Sequence, residues 1–249
     1  MAMKFGLIGH SISHSFSKTY FETKFSELQL SNASYQNFDI LNLDTLKSII
    51  AEHHINGLNI TTPFKETIIP LLDEVDETAK QIGAVNCVNV IWKNNAPYLI
   101  GYNTDYYGFA QSIKPFLEPI HQQALILGTG GASKAIAFAL KNIGIDYYFV
   151  TSGEKKASNY FNYTELNNHV LNAFKLLIQC TPIGMFPKIN DYVNLPYQFL
   201  TSEHLLVDLI YNPEETLFLK KGKEQGSMTM NGLNMLKLQA DKAWQIWNA

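Results

Sequence analysis

With 249 residues, 46% hydrophobic and 16% charged, the chain has the composition of a folded protein with one large domain or two modest ones. A net charge of −3 supplies no basic surface for nucleic acid, and no apolar run reaches the roughly 18 residues of a membrane span. Cys87 and Cys180 stand far apart without ligand spacing, so reduced thiols and no metal are expected.

Lys4–Ile8 reads as a strand rather than a leader, which makes a cytoplasmic protein the expectation. A polar loop follows, then a helix near Lys18–Leu28, a strand over Ser34–Asp39, a helix over Leu43–His53 and a buried strand at Gly57–Ile60. A helix near Asp76–Ile82 leads to Cys87–Trp92 and Tyr98–Gly101, joined as a hairpin across Asn94-Asn95. Next come a helix near Tyr106–Leu117 and the run Ala124-Leu125-Ile126-Leu127. A glycine turn and a helix patterned by Ala132, Ile136, Leu140 and Ile143 follow, with Gly144 as its stop. Tyr147–Val150, Phe174–Gln179 and Leu205–Ile210 are further strands, and Leu233–Trp247 is a closing helix. Strands alternating with helices give an α/β fold with mostly parallel sheets.

Five segments carry candidate chemistry. Asn59-Ile60-Thr61-Thr62-Pro63-Phe64-Lys65 crowds polar groups at the end of a strand, where α/β sheets place ligands. Pro63 ends the ladder there because it lacks an N–H. The loop after the first strand holds Ser11, Ser13, Ser15 and Ser17, suited to a small anionic or polyhydroxylated ligand, although helix capping by Ser15 or Ser17 explains them as well. Gly83–Asn86 and Gly101–Asp105 put polar groups at strand edges, with Asp105 also readable as a helix cap. Gly128-Thr129-Gly130-Gly131-Ala132-Ser133, between strand and helix, fits a pyrophosphate on a helix N-terminus, with Ser133 in place of a third glycine. About 120 residues precede it, enough for a separate domain that holds something other than the cofactor.

After the second strand of that unit comes Val150-Thr151-Ser152-Gly153, with no carboxylate until Glu154; Lys155 and Lys156 follow. A 2′-phosphate is more welcome there than a bare ribose diol, which favours NADP over NAD, although a solvated lysine pair is an equal reading. The chain contains no arginine, so lysine, hydroxyls, amides and backbone N–H groups must hold every anion.

In order, these segments resemble the shikimate dehydrogenase family over nearly the whole chain. The resemblance rests on Ser15-Phe16-Ser17, the Asn59–Lys65 segment, Gly-Ala-x-Asn ending at Asn86, and Asn-Thr-Asp ending at Asp105. It continues through the Gly128–Ala132 turn and Gly-x-x-Met-Leu-x-x-Gln over Gly232 to Gln239. It implies a discontinuous α/β substrate domain over 1–103 and 231–249 and a Rossmann-like dinucleotide-binding domain over 104–230. It also implies NADPH-dependent, reversible reduction of 3-dehydroshikimate to shikimate in aromatic amino-acid biosynthesis.

By the same resemblance, Ser15 and Ser17 hold the substrate carboxylate, and Thr61, Lys65, Asn86, Asp105, Tyr211 and Gln239 meet the rest of the substrate. Lys65 and Asp105 are the implied catalytic pair. Gly128, Gly130, Gly131, Ala132, Ser152, Lys155, Lys156 and Gly232 lie on the cofactor side. The family's arginine after the second cofactor strand is replaced by Ser152 within Thr151-Ser152-Gly153, which leaves NAD use open, while Ser17, in place of threonine, resembles shikimate-specific members more than quinate-using ones. An NAD-using quinate/shikimate dehydrogenase and a catalytically silent relative are the alternatives. A monomer or homodimer without macromolecular partners is expected.

Overall fold

The computed structural model describes residues 2–12, 15–155 and 157–249. Ser13 and Lys156, singled out above, lie outside them. The described chain divides into two compact units, Met1–Thr104 with Gln239–Ala249, and Asp105–Leu238.

The first unit contains β1 (Met3–Gly9), α1 (Phe16–Glu27), β2 (Ala33–Asp39), α2 (Leu46–His53), β3 (Gly57–Ile60), β4 (Glu74–Val75), α3 (Glu77–Ile82), β5 (Cys87–Lys93) and β6 (Ala96–Tyr102). Its sheet order is β2-β1-β3-β5-β6-β4. β2 and β3 flank β1 in parallel, whereas β5 runs antiparallel to both β3 and β6. This sheet is therefore mixed, with three parallel pairings, β4–β6 among them, and two antiparallel ones. The cause is the β5–β6 hairpin, whose Asn94 and Asn95 both adopt positive φ (51° and 62°), as a two-residue hairpin turn requires. The stretch expected as one helix from Leu43 starts as a 3-10 turn over Leu43–Thr45, capped by Asn42, before α2.

Side chains alternate across the pleat of β1. Phe5 and Leu7 pack with Phe21 and Phe25 of α1 and with Ala240, Ala243 and Trp247. Ile8 joins Leu46 and Ile50 of α2 with Leu58 and Ile60 of β3 on the other face. Trp247 stacks on Phe5 with ring centroids 4.8 Å apart, and its indole N–H donates to the Val88 carbonyl at 3.0 Å. Lys24 and the Tyr20 hydroxyl both bond Asp241, at 2.5 and 2.7 Å, so the chain's last turns are fastened to α1.

The second unit contains α4 (Asp105–Ile113), β7 (Gln123–Leu127), α5 (Gly131–Asn142), β8 (Asp146–Thr151), β9 (Tyr160–Asn162), α6 (Asn168–Ala173), β10 (Leu176–Gln179), β11 (Leu205–Asp208), α7 (Leu217–Glu224), β12 (Met228–Met230) and the start of α8 (Leu233–Trp247). All its strand pairs are parallel, in the order β12-β11-β10-β7-β8-β9. Counted within the unit this is the doubly wound 3-2-1-4-5-6 order, which puts the glycine turn after β7 at the topological switch point. The central strands β7, β10 and β11 are buried almost throughout, as helices on both faces demand. Sequence reasoning anticipated no strand at β9 or β12 and no helix at α6 or α7.

Cys87 and Cys180 are free thiols. Among the described residues, no helix is long and apolar enough to cross a membrane.

Candidate active site

Four peptide segments of the first unit meet through backbone hydrogen bonds at the ends of β1, β3 and β6. Thr61 N–H donates to the Ile8 carbonyl at 2.9 Å, Ile60 N–H to Asn86 at 2.8 Å, Val85 N–H to Lys65 at 2.7 Å, and Asn86 N–H to Tyr102 at 3.0 Å. The Asn103 side-chain amide adds a bond to the Ala84 carbonyl at 2.9 Å. The half-buried Thr61 and Lys65 and the buried Asn86 are thereby fixed on one framework.

Gln239 joins them from the far end of the sequence. Asn86 Nδ2 donates to Thr104 Oγ1 at 3.0 Å and to Gln239 Oε1 at 3.4 Å, and Thr104 Oγ1 donates to Gln239 Oε1 at 3.2 Å. The Asn86 Oδ1 accepts the Thr104 backbone N–H at 2.6 Å. All three residues are buried, and Gln239 and Asn86 are 153 positions apart. Buried polar side chains at this density are costly unless mutually satisfied, and the network satisfies them.

Ser15 is the N-cap of α1, and its hydroxyl accepts the Ser17 N–H at 3.3 Å. The Ser17 side chain hydrogen-bonds Tyr35, whose hydroxyl donates to Asn59 Oδ1 at 2.7 Å. Burial pushes the Tyr35 phenol well above its ordinary range, so it stays a neutral donor. The Asn59 amide reaches the Asn86 carbonyl at 3.5 Å. The serine pair and the Asn86–Gln239 cluster are therefore linked through Tyr35 and Asn59. Tyr35 and Thr104 were missed by sequence reasoning, although Thr104 lies inside the Asn-Thr-Asp segment.

In the second unit, Asp105 is buried at the first position of α4. Gly128 takes φ 108°, a conformation that disfavours any side chain, and a Cβ there would meet Thr181 at 2.8 Å. Gly130 is the N-cap of α5 without a side-chain cap, and nothing lies within 4 Å of where its Cβ would be. The N–H groups opening α5, beginning with Gly131 and Ala132, thus start from a cradle with room for a phosphate. Ser133, in place of the third glycine, is buried with its hydroxyl tied back to the Gly130 carbonyl at 2.5 Å. These features fit a dinucleotide pyrophosphate.

Ser152 is exposed just past β8, within a turn that Asn162 stitches by donating its amide to the Thr151 and Gly153 carbonyls, both at 3.0 Å. Lys155 is not a bare cation: it pairs with Glu165 at 2.5 Å. Glu165 also accepts the Asn162 N–H at 2.6 Å, and this bond, then Lys155, holds its carboxyl below the usual range. Tyr211 is half-buried on the loop after β11. Gly232 is buried at the entry to α8, where a Cβ would stand 2.1 Å from the Leu209 carbonyl oxygen, so only glycine fits. Among the described residues no group of three or more His, Cys, Asp or Glu is placed to hold a metal ion.

A doubly wound nucleotide-binding unit in the same chain as a separate α/β unit with a buried polar cluster defines a dehydrogenase-type architecture. Residues 7–88 match the family model described as the shikimate dehydrogenase substrate binding domain. The NADP(+) shikimate dehydrogenase of Desulforamulus reducens is 35% identical, over 97% of this chain and 88% of that protein. The crystal structure of shikimate dehydrogenase from Aquifex aeolicus superposes with a TM-score of 0.87 at 35% identity, covering 99% of this chain and 92% of that one. The Thermus thermophilus shikimate 5-dehydrogenase in complex with NADP(H) and shikimate has a TM-score of 0.83 at 29% identity, covering 98% and 93%. The chain belongs to the shikimate dehydrogenase family.

Proposed function

We propose that this chain is an NADP-dependent shikimate dehydrogenase, interconverting 3-dehydroshikimate and shikimate in aromatic amino-acid biosynthesis. The observation that carries the reading is the hydrogen-bonded convergence of Asn86, Thr104 and Gln239 on the framework that also fixes Lys65. A ring bearing several hydroxyls needs such a set of preset donors and acceptors. Membership of the family and the room at Gly130 support the cofactor assignment. We assign residues 1–103 and 231–249 to substrate binding and 104–230 to the cofactor, in a cytoplasmic monomer or homodimer.

The roles follow from chemistry. Ser15 and Ser17 bind the substrate carboxylate, and Thr61, Asn86, Tyr211 and Gln239 bind the remaining polar groups. Gly128, Gly130, Gly131 and Ala132 receive the pyrophosphate, Ser152, Lys155 and Lys156 are assigned to binding the adenosine end, and Gly232 lets the chain pass close by. NADPH supplies the hydride. Reduction of a ketone builds negative charge on oxygen; Lys65 donates a proton to that oxygen, while Asp105 orients the Lys65 ammonium and a substrate hydroxyl.

The test is to supply 3-dehydroshikimate with NADPH and, separately, NADH, and to follow loss of the reduced nicotinamide absorbance. Rapid NADPH oxidation is expected. No oxidation of either cofactor would point instead to a catalytically silent relative. The absence of arginine and the Lys155–Glu165 pair favour a second outcome worth measuring, appreciable use of NADH.

A further inference from the structure

Asp39 is the last residue of β2, and both oxygens of its carboxylate are engaged by the loop after β1. The Ser11 N–H donates to Oδ1 at 3.0 Å and the Ile12 N–H to Oδ2 at 3.2 Å, while His10 Nδ1 stands 3.4 Å from Oδ1. Ser11 has φ 58°, left-handed for a residue with a side chain. Consecutive N–H groups turned to one side in this way form a nest that receives an anion. Here the anion is the protein's own carboxylate.

The tie reaches the serine pair through the backbone. The Ile12 carbonyl accepts the Ser15 N–H at 3.0 Å, and the Ser15 hydroxyl accepts the Ser17 N–H at 3.3 Å. On the other side of the nest, the His10 N–H donates to the Thr62 carbonyl at 3.2 Å, next to Thr61. Removing the carboxylate would leave the Ser11 and Ile12 N–H groups without this acceptor and the left-handed Ser11 without the tie that its own N–H makes.

We propose that Asp39 is a positioning residue for substrate-carboxylate recognition: it sets the conformation of the 10–12 segment and, through Ile12, the placement of Ser15 and Ser17. This rests on the function proposed above. Asp39 touches no substrate atom in this scheme; it acts through the serines. Its loss must therefore weaken recognition of the substrate's carboxylate and leave hydride transfer and cofactor binding alone.

The experiment compares Asp39→Ala and Asp39→Asn with the parent enzyme on shikimate and on shikimate methyl ester, which keeps the ring hydroxyls but lacks the anionic group. For Asp39→Ala the KM for shikimate should rise about tenfold, with kcat, the KM for NADP+ and the KM for the ester each within about twofold. Asp39→Asn keeps one acceptor oxygen and should fall between, and it carries the test if the alanine variant does not fold. An equal loss on acid and ester, or no loss on the acid, would overturn the inference while leaving the dehydrogenase reading intact. A parent enzyme that handles ester and acid alike would remove the serines' role, and with it both this inference and that part of the proposed function.

Discussion

The backbone N–H of Thr104 donates to Asn86 Oδ1 at 2.6 Å, and that single bond settles which way the Asn86 amide faces. A main-chain nitrogen can only donate, so the oxygen must point at Thr104 and the NH2 at Thr104 Oγ1 and Gln239 Oε1. Gln239 then receives donors at Oε1 from both neighbours, which directs its own NH2 away from them. Thr104→Val keeps the backbone bond and the shape but removes the hydroxyl. The Kd for shikimate should rise by roughly five- to tenfold, and Thr104→Ser should restore most of it. Calorimetric titration of both variants checks this; identical losses in the valine and serine variants would discount the hydroxyl.

Lys65 presents the only cation on the Asn59–Lys65 segment, and its backbone is clamped by Val85. Lys65→Ala removes the proposed proton donor while leaving that backbone bond in place. A loss of about 10²–10⁴-fold in kcat is expected, with a smaller change in KM. Steady-state kinetics in both directions measure it, and near-parental turnover would take Lys65 out of the chemistry.

Much of the fold could be read from the chain because its strong signals are local. The apolar runs at β1 and β7, the Asn94-Asn95 turn and the long period of α8 each specify an element without help from elsewhere. β9, β12, α6 and α7 escaped for a physical reason. They span three to eight residues, too few for a period to show, and α6 and α7 are started by single caps, Asn167 and Thr216. The candidate site divides in the same way. Asn86 stood out as a polar group at the edge of an apolar strand and Gln239 only through the family resemblance, but their partnership crosses 153 positions that no pattern links. Asp39 looks like any polar end of a strand until the fold brings the 10–12 segment onto it.

The Lys155–Glu165 pair is another such contact, and it bears on the cofactor. Thr151 pairs with Asn162 in register, which carries Glu165 to the turn holding Ser152. A carboxylate there competes with a 2′-phosphate for Lys155 and repels it. Glu165→Gln should tighten NADP+ by roughly two- to fivefold, the range of an exposed ion pair, and leave NAD+ nearly unchanged. Fluorescence titration with each cofactor decides it; equal shifts for the two would show that Glu165 does not sense the 2′ position.

Asp208, at the end of β11, is fully buried, and its carboxyl accepts the Thr216 hydroxyl at 2.6 Å and the Ile210 N–H at 2.9 Å. Burial pushes its pKa up to about 7, against the pull of these two bonds. The native state therefore holds a proton that the unfolded chain has already released above about pH 4. Stability from this group is complete below the unfolded pKa, declines as pH rises, and is gone above about pH 7, a span of roughly 4 kcal/mol at most. Asp208→Asn keeps the acceptor for the Ile210 N–H and buries no charge, while its NH2 faces the Thr216 hydroxyl, which must then accept instead of donate. Its melting temperature should exceed the parent's by several degrees at pH 8, with the gap narrowing toward pH 5. Melting curves across that range test the assignment, because parallel pH profiles for the two proteins would mean that Asp208 does not titrate there. The contacts to Ile210 and Thr216 also span the loop carrying Tyr211, so Asp208→Asn, which bonds both residues, should keep its KM for shikimate while losing the pH dependence of its stability.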